Sequence, residues 1–207
     1  MAEIIENPTD AQIDEIIIQM HDGKIIVYPT DTIYGIGANI FNAQAIRKIF
    51  YVKQRSVNKP LSIIAHNRRQ IDEIAYTNPK INKILKKLLP GPYTILLNKK
   101  SIINDMITAH MPTVGIRIPD NQLTYKLTQD FPITTTSANI TDMPTPNNIT
   151  DIQKQLKDKI TTYIDAGAIA DNTPSTIIDL TQQYPKIIRD AKTDNNNIEK
   201  ILEIKLY

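Results

Sequence analysis

The sequence predicts an α/β fold: one domain built on a twisted, mixed parallel and antiparallel sheet flanked by helices. Three observations predict it. Short apolar runs alternate with segments of helical periodicity along most of the 207 residues. Strand candidates crowd together near the end, which argues against a purely parallel sheet. No internal repeat and no linker long enough to divide the chain is present, so the domain is assigned to residues 1–207, with a core from about 8 to 192.

The elements follow in order. Thr9-x-x-Gln12 before IDEIIIQMH reads as a capping box, and Gly23 closes that helix. KIIVYP is a buried strand ending at Pro29. Gly35 and Gly37 read as a tight strand-to-helix turn needing unusual backbone angles. Asn42 caps AQAIRKIFYVK, and LSIIA (61–65) is again a strand. Asn67 opens RRQIDEIAY, and Pro79 opens INKILKKLL, which stops at Pro90-Gly91-Pro92. YTILLNK and VGIRIP are strands, NQLTYKLTQ a helix, and ITTTSAN a strand running into a loop. A short helix over DIQKQLK precedes three strands, TTYIDAG, STIIDLT and KIIRDA. The polar run TDNNN then leads to a last amphipathic helix at about 196–206.

Composition narrows the function. Cysteine is absent, so thiolate nucleophiles, disulfides and zinc–thiolate sites are excluded. The N-terminus lacks a basic start and an apolar core, and no stretch approaches the ~20 apolar residues of a membrane span. The expectation is a cytoplasmic protein without a membrane segment. The net charge of +2 hides an asymmetry: residues 47–100 hold thirteen basic residues and two acids, Asp72 and Glu73. That excess suits an anionic partner such as a nucleotide or an RNA backbone. Lys80, Lys83, Lys86 and Lys87 read first as the solvated face of one helix.

Candidate site residues come from five places. Lys53 and Arg55 stand two apart just past a helix, with Lys59 close behind; in an extended segment they would reach one anion together. TTTSAN (134–139) puts small hydroxyl side chains, Ser137 and Asn139 at a strand end. Arg117 lies inside the apolar run VGIRIP, where a charge must be paired or face a ligand. Ser175 and Thr176 open the strand STIIDL, and Arg189 ends another apolar run. Each alone is ordinary; together they place hydroxyls and cations at the ends of several strands, as an anion site in an α/β sheet requires. A P-loop and a dinucleotide fingerprint are both absent. Three isolated histidines, His21, His66 and His110, are assigned no catalytic role, and no metal-ligand set is read.

These motifs, in this order, resemble the YrdC/TsaC family, the L-threonylcarbamoyladenylate synthases. The resemblance runs from about Gly23 to Arg189 through YPTDTIYGIGAN, KQRSVNKPL, LPGPYTILL, TVGIRIP, TTSAN, MPTP and PSTIIDL. It implies a single α/β domain with a basic concave cleft. It implies an ATP-binding nucleotidyltransferase that joins L-threonine, bicarbonate and ATP into threonylcarbamoyl-AMP and pyrophosphate, with magnesium on the phosphates. The product passes to a tRNA threonylcarbamoyl-transferase, for threonylcarbamoyladenosine in tRNA.

Carried over by motif, Lys53 and Arg55 meet the ATP phosphates and stabilise charge. Thr113, Ser137, Asn139, Thr145 and Arg189 lie along the nucleotide. Thr30, Arg117, Thr135 and Ser175 form the threonine pocket. R-D-A after Ile188 departs from relatives with a glycine soon after that arginine, and Pro174 resembles the short bacterial form. The competing reading is a double-stranded RNA- or tRNA-binding module without catalysis, supported by the basic segment. A carbamoyl-transfer relative in metal-centre maturation is a lesser alternative, since such relatives carry zinc-binding cysteines.

Overall fold

The computed structural model describes residues 2–191 together with 198 and 199. The chain runs β1 (Glu3–Glu6), α1 (Asp10–His21), β2 (Ile26–Tyr28), β3 (Gly35–Gly37), α2 (Ala43–Lys53), β4 (Ser62–Ile64), α3 (Arg68–Ile74), α4 (Pro79–Leu88) and β5 (Tyr93–Asn98). It continues α5 (Asp105–Thr108), β6 (Thr113–Arg117), α6 (Gln122–Leu127), β7 (Ile133–Ser137), α7 (Ile149–Leu156), β8 (Thr162–Asp165), β9 (Thr176–Asp179) and β10 (Lys186–Arg189).

Local chemistry starts these helices. At α1 the Thr9 hydroxyl accepts from the Gln12 amide, while the Gln12 side chain accepts from the Thr9 amide at 2.9 Å. Gly23 follows with φ at +85°, a conformation that costs glycine little. The helices α2 to α7 each begin on an asparagine whose side-chain oxygen takes an otherwise unpaired backbone N–H. Pro79, lacking an N–H, opens α4, and Lys80, Lys83, Lys86 and Lys87 are exposed on that helix.

Among the described residues the strands form one sheet in the order β1-β8-β2-β3-β7-β4-β6-β5-β9-β10. Pairing is mixed: β1–β8, β2–β8, β4–β6 and β5–β9 are parallel, and the remaining neighbours antiparallel. One face carries Val27, Ile36, Ile63, Ile95 and Ile116, packed with Ile46 and Ile49 of α2, Leu85 and Leu88 of α4 and Ile152 of α7. The other is apolar only in part. There Ile26, Tyr28, Ile64 and Ile133 meet Ile13, Ile16, Ile17 and Met20 of α1, with Leu127 and Phe131. Both packings are driven by removal of apolar surface from water.

Three expectations need correction. Gly35 and Gly37 form strand β3, hydrogen-bonded between β2 and β7, and neither has a positive φ. Space, not backbone angle, demands glycine: a Cβ on Gly37 would stand 2.7 Å from Tyr28 Cε1, and one on Gly35 3.1 Å from Tyr28 Cζ. The sheet begins before residue 8, because β1 pairs with β8 and Ile5 is buried. The helix α5 is also additional to the reading above. The terminal helix expected at 196–206 lies outside the described residues apart from Ile198 and Glu199, of which Ile198 is buried in the core. Among the described residues no helix is long and apolar enough to cross a membrane.

Candidate functional site

Register fixes which side chains share a face. Thr135 pairs with Ser62, and Ser62 with Gly115. Alternation then puts Thr113 and Arg117 on the face of Gly115, and Ser137 on the face of Thr135. Gly35 pairs with Ser137, so it joins them. This is the partly apolar face. Beyond the reach of α1 its floor is built of Ser, Thr and Gly, and Ser62, Thr113, Thr135 and Ser137 are half-buried. A Cβ on Gly115 would lie 3.0 Å from Ser62 Oγ and 3.1 Å from Thr94 Cγ2, so the floor is closely packed even where it is polar. Thr113 and Arg117 mark two ends of this floor, about 13 Å apart along β6.

At the Thr113 end, α2 delivers Lys53. The side chain is 1% exposed. Its ammonium donates to the Ser137 carbonyl, the Asn139 carbonyl (2.8 Å) and Asn139 Oδ1 (3.1 Å). Ser137 Oγ donates to the same Asn139 Oδ1 at 2.6 Å. Three residues singled out in the sequence thus form one hydrogen-bonded cluster. Those partners are neutral oxygens, and burial, then the charge of Arg55, lowers the Lys53 pKa to about 7. An anion here would restore the ammonium.

Arg55 comes close by a different route from the one expected. Gln54 sits in the left-handed region at φ 49°, capping α2, so 53–55 is a helix terminus rather than an extended segment. The Arg55 guanidinium holds the Lys59 carbonyl at 3.1 Å and the Pro60 carbonyl at 2.8 Å. Burial lowers its pKa, opposed by Asp142. Lys59 pairs with Asp142 at 3.0 Å, tying the loop after α2 to the loop after β7.

At the other end Arg117 is 4% exposed. Its Nη2 donates to Asp31 Oδ1 at 2.5 Å and its Nη1 to Thr32 Oγ1 at 2.9 Å. Its Nε is buried without a partner. Burial pulls this arginine's pKa down and Asp31 pushes it back. Thr30 is buried beside it, but its hydroxyl is spent on its own turn. It donates to the Ile33 carbonyl at 2.7 Å and accepts from the Thr32 and Ile33 amides.

Ser175 and Arg189 form a third group. Arg189 donates twice to the Ser175 carbonyl, at 3.1 and 2.7 Å, and the Ser175 hydroxyl lies 2.7 Å from Thr94 Oγ1. Burial, then the charge of Arg117, lowers the Arg189 pKa, so the two arginines feel each other. Thr145 stands apart in the loop after β7, where its carbonyl accepts from Asn172 at 2.7 Å. The sequence reading missed Asp31, Thr32 and Thr94. For Asp31 a signal existed: an arginine inside an apolar strand calls for an acid.

A family profile described as "Telomere recombination" (Sua5_yciO_yrdC) matches residues 19–191. The chain belongs to the Sua5/YciO/YrdC family. Within it, a relative from Methanocaldococcus jannaschii named "Putative threonylcarbamoyl-AMP synthase" is 43% identical over 170 residues, 82% of this chain and 81% of that protein. The threonylcarbamoyl-AMP synthase of Pyrococcus abyssi is 33% identical over 192 residues. The crystal structure of P. abyssi Sua5 complexed with L-threonine superposes with a TM-score of 0.92 at 30% identity, covering all of this chain. This chain spans 56% of the length of that synthase and 62% of the crystallised Sua5 chain. The Sua5/YciO/YrdC fold accounts for the mixed sheet and its flanking helices.

Proposed function

We propose that this chain is a threonylcarbamoyl-AMP synthase, carried on one domain over residues 1–207, that uses L-threonine, bicarbonate and ATP. The observation that carries the reading is a cation at each end of the polar face: Lys53, reaching from α2 on the opposite face to the Ser137 and Asn139 carbonyls at the end of β7, and Arg117 on β6 at the other. The names of the relatives and the threonine complex of P. abyssi Sua5 support the same reading.

The chemistry follows from the charges. The threonine amine and bicarbonate give a carbamate and water. A carbamate oxygen then attacks the α-phosphorus of ATP, the bond to the β-phosphate oxygen breaks, and pyrophosphate leaves. The protein's part is alignment and neutralisation of charge. Lys53 and Arg55 face the growing charge on the leaving pyrophosphate, with Thr113, Ser137, Asn139, Thr145 and Arg189 along the nucleotide. Arg117 receives the threonine carboxylate, with Thr135 and Ser175 in the same pocket, and Thr30 shapes the turn that carries Asp31 and Thr32. Among the described residues no group of three His, Asp or Glu side chains could hold a metal. Magnesium on the phosphates, held by them and by water, is part of this proposal, and no step is assigned to it.

The product would pass to a tRNA threonylcarbamoyl-transferase in the cytoplasm, and the basic segment is where tRNA could touch the chain directly. The relatives' names favour catalysis over a non-catalytic RNA-binding module. Pyrophosphate release by purified protein with ATP and magnesium, omitting threonine or bicarbonate in turn, tests the reading. Release that needs both supports it. Release that needs neither, or no release from folded protein, overturns it.

A further inference from the structure

Asp31 has no role in the reading so far, yet its carboxylate is held from both sides. Its Oδ1 takes Arg117 Nη2, and its Oδ2 accepts from the Asp120 amide at 3.1 Å. One carboxylate thus joins the loop after β2 to the loop after β6. Thr32, hydrogen-bonded to Thr30 at 3.0 Å, holds the other terminal nitrogen of Arg117. Both Nη atoms are oriented this way, and Nε is left without a partner. The Asp31 side chain is 12% exposed. An acid anchored at both oxygens and largely out of water is a fixed wall, not a mobile stand-in for a substrate carboxylate.

We infer that Asp31 is a positioning residue that orients the Arg117 guanidinium for the carboxylate of the amino-acid substrate. The inference rests on the synthase reading. It predicts a division between substrates, because Arg117 lies about 13 Å along β6 from the Thr113 end, where the phosphates are assigned. A residue that merely stabilised the fold would act on both.

The experiment is steady-state pyrophosphate release by the full chain carrying Asp31→Asn or Asp31→Glu, with threonine and ATP varied in turn. Asp31→Asn should raise the KM for threonine tenfold or more and leave the KM for ATP within twofold. Asp31→Glu should recover part of the loss. An unchanged threonine KM, an equal rise for both substrates, or a lowered threonine KM (Asp31 as a competitor for Arg117) overturns the inference. If Asp31→Asn does not fold, Thr32→Val keeps the ion pair and removes one acceptor. It should raise the threonine KM about threefold alone, and no change would count against the inference.

Should the wild type release no pyrophosphate, the synthase reading fails by itself. Calorimetry with L-threonine then decides: binding by wild type that weakens tenfold in Asp31→Asn keeps the positioning role. Equal binding, or none by wild type, removes it.

Discussion

At Lys53 a buried ammonium meets three neutral acceptors and a neighbouring guanidinium, and this has a measurable consequence for pH. Its pKa falls from 10.5 to about 7 in the folded protein. Between those values the unfolded chain binds the extra proton, so this residue makes stability rise with pH across that window. Below pH 7 its destabilising effect is fully present. Urea midpoints at pH 7 and 9 should therefore diverge less in Lys53→Met than in wild type, and an equal divergence would count against burial as the cause. Arg117 carries a different lesson. Removing it strands Asp31, so Arg117→Ala should lose about 3 kcal/mol or more of stability as well as turnover, read by denaturant unfolding. The sequence suggested both residues, because a lysine–arginine pair and an arginine in an apolar strand are visible in one dimension. It could not pair Arg117 with Asp31, which stands 86 residues away and meets it only across the fold.

Elements were legible where they carry their own punctuation. Thr9 with Gln12, Asn42 and Asn67 mark helix starts through bonds made within three residues, and Pro79 marks one by its fixed φ and missing N–H, so local sequence suffices. Thr9→Ala should cost about 1 kcal/mol, seen as a lowered thermal midpoint. The strand β3 was not legible, because its three residues include two glycines and its reason lies in the Tyr28 ring above them. Gly37→Ala tests that reason: overpacking against Tyr28 and the Thr134 carbonyl, 3.2 Å from the added Cβ, should destabilise by about 1–3 kcal/mol. Retained stability would mean that the ring moves freely. Strand β1 escaped notice because EIIE is short and pairs only with β8, far along the chain.

Over the whole molecule, the mixed sheet was readable from the alternation of elements, but its order was not, since non-local pairing leaves no local mark. β7 is the strand that joins the two halves: β3 lies on one side of it and β4 on the other. The Thr134 hydroxyl also accepts from the Ala38 amide at 3.1 Å. Thr134→Val should leave that N–H unpaired at a cost of about 1–3 kcal/mol. Hydrogen exchange in β2 and in β5 should then rise together; a rise in β2 alone would mean that the halves unfold separately. A consequence follows for synthesis on the ribosome. Before residue 133 is made, the β2–β3 pair and the β4–β6–β5 group have no strand between them. Because β7 also supplies Ser137 and leads into Asn139, the Lys53 cluster closes only when the halves join. A nascent chain that has not yet united its halves therefore lacks the proposed anion site, and ligand capture there would report that the halves have joined.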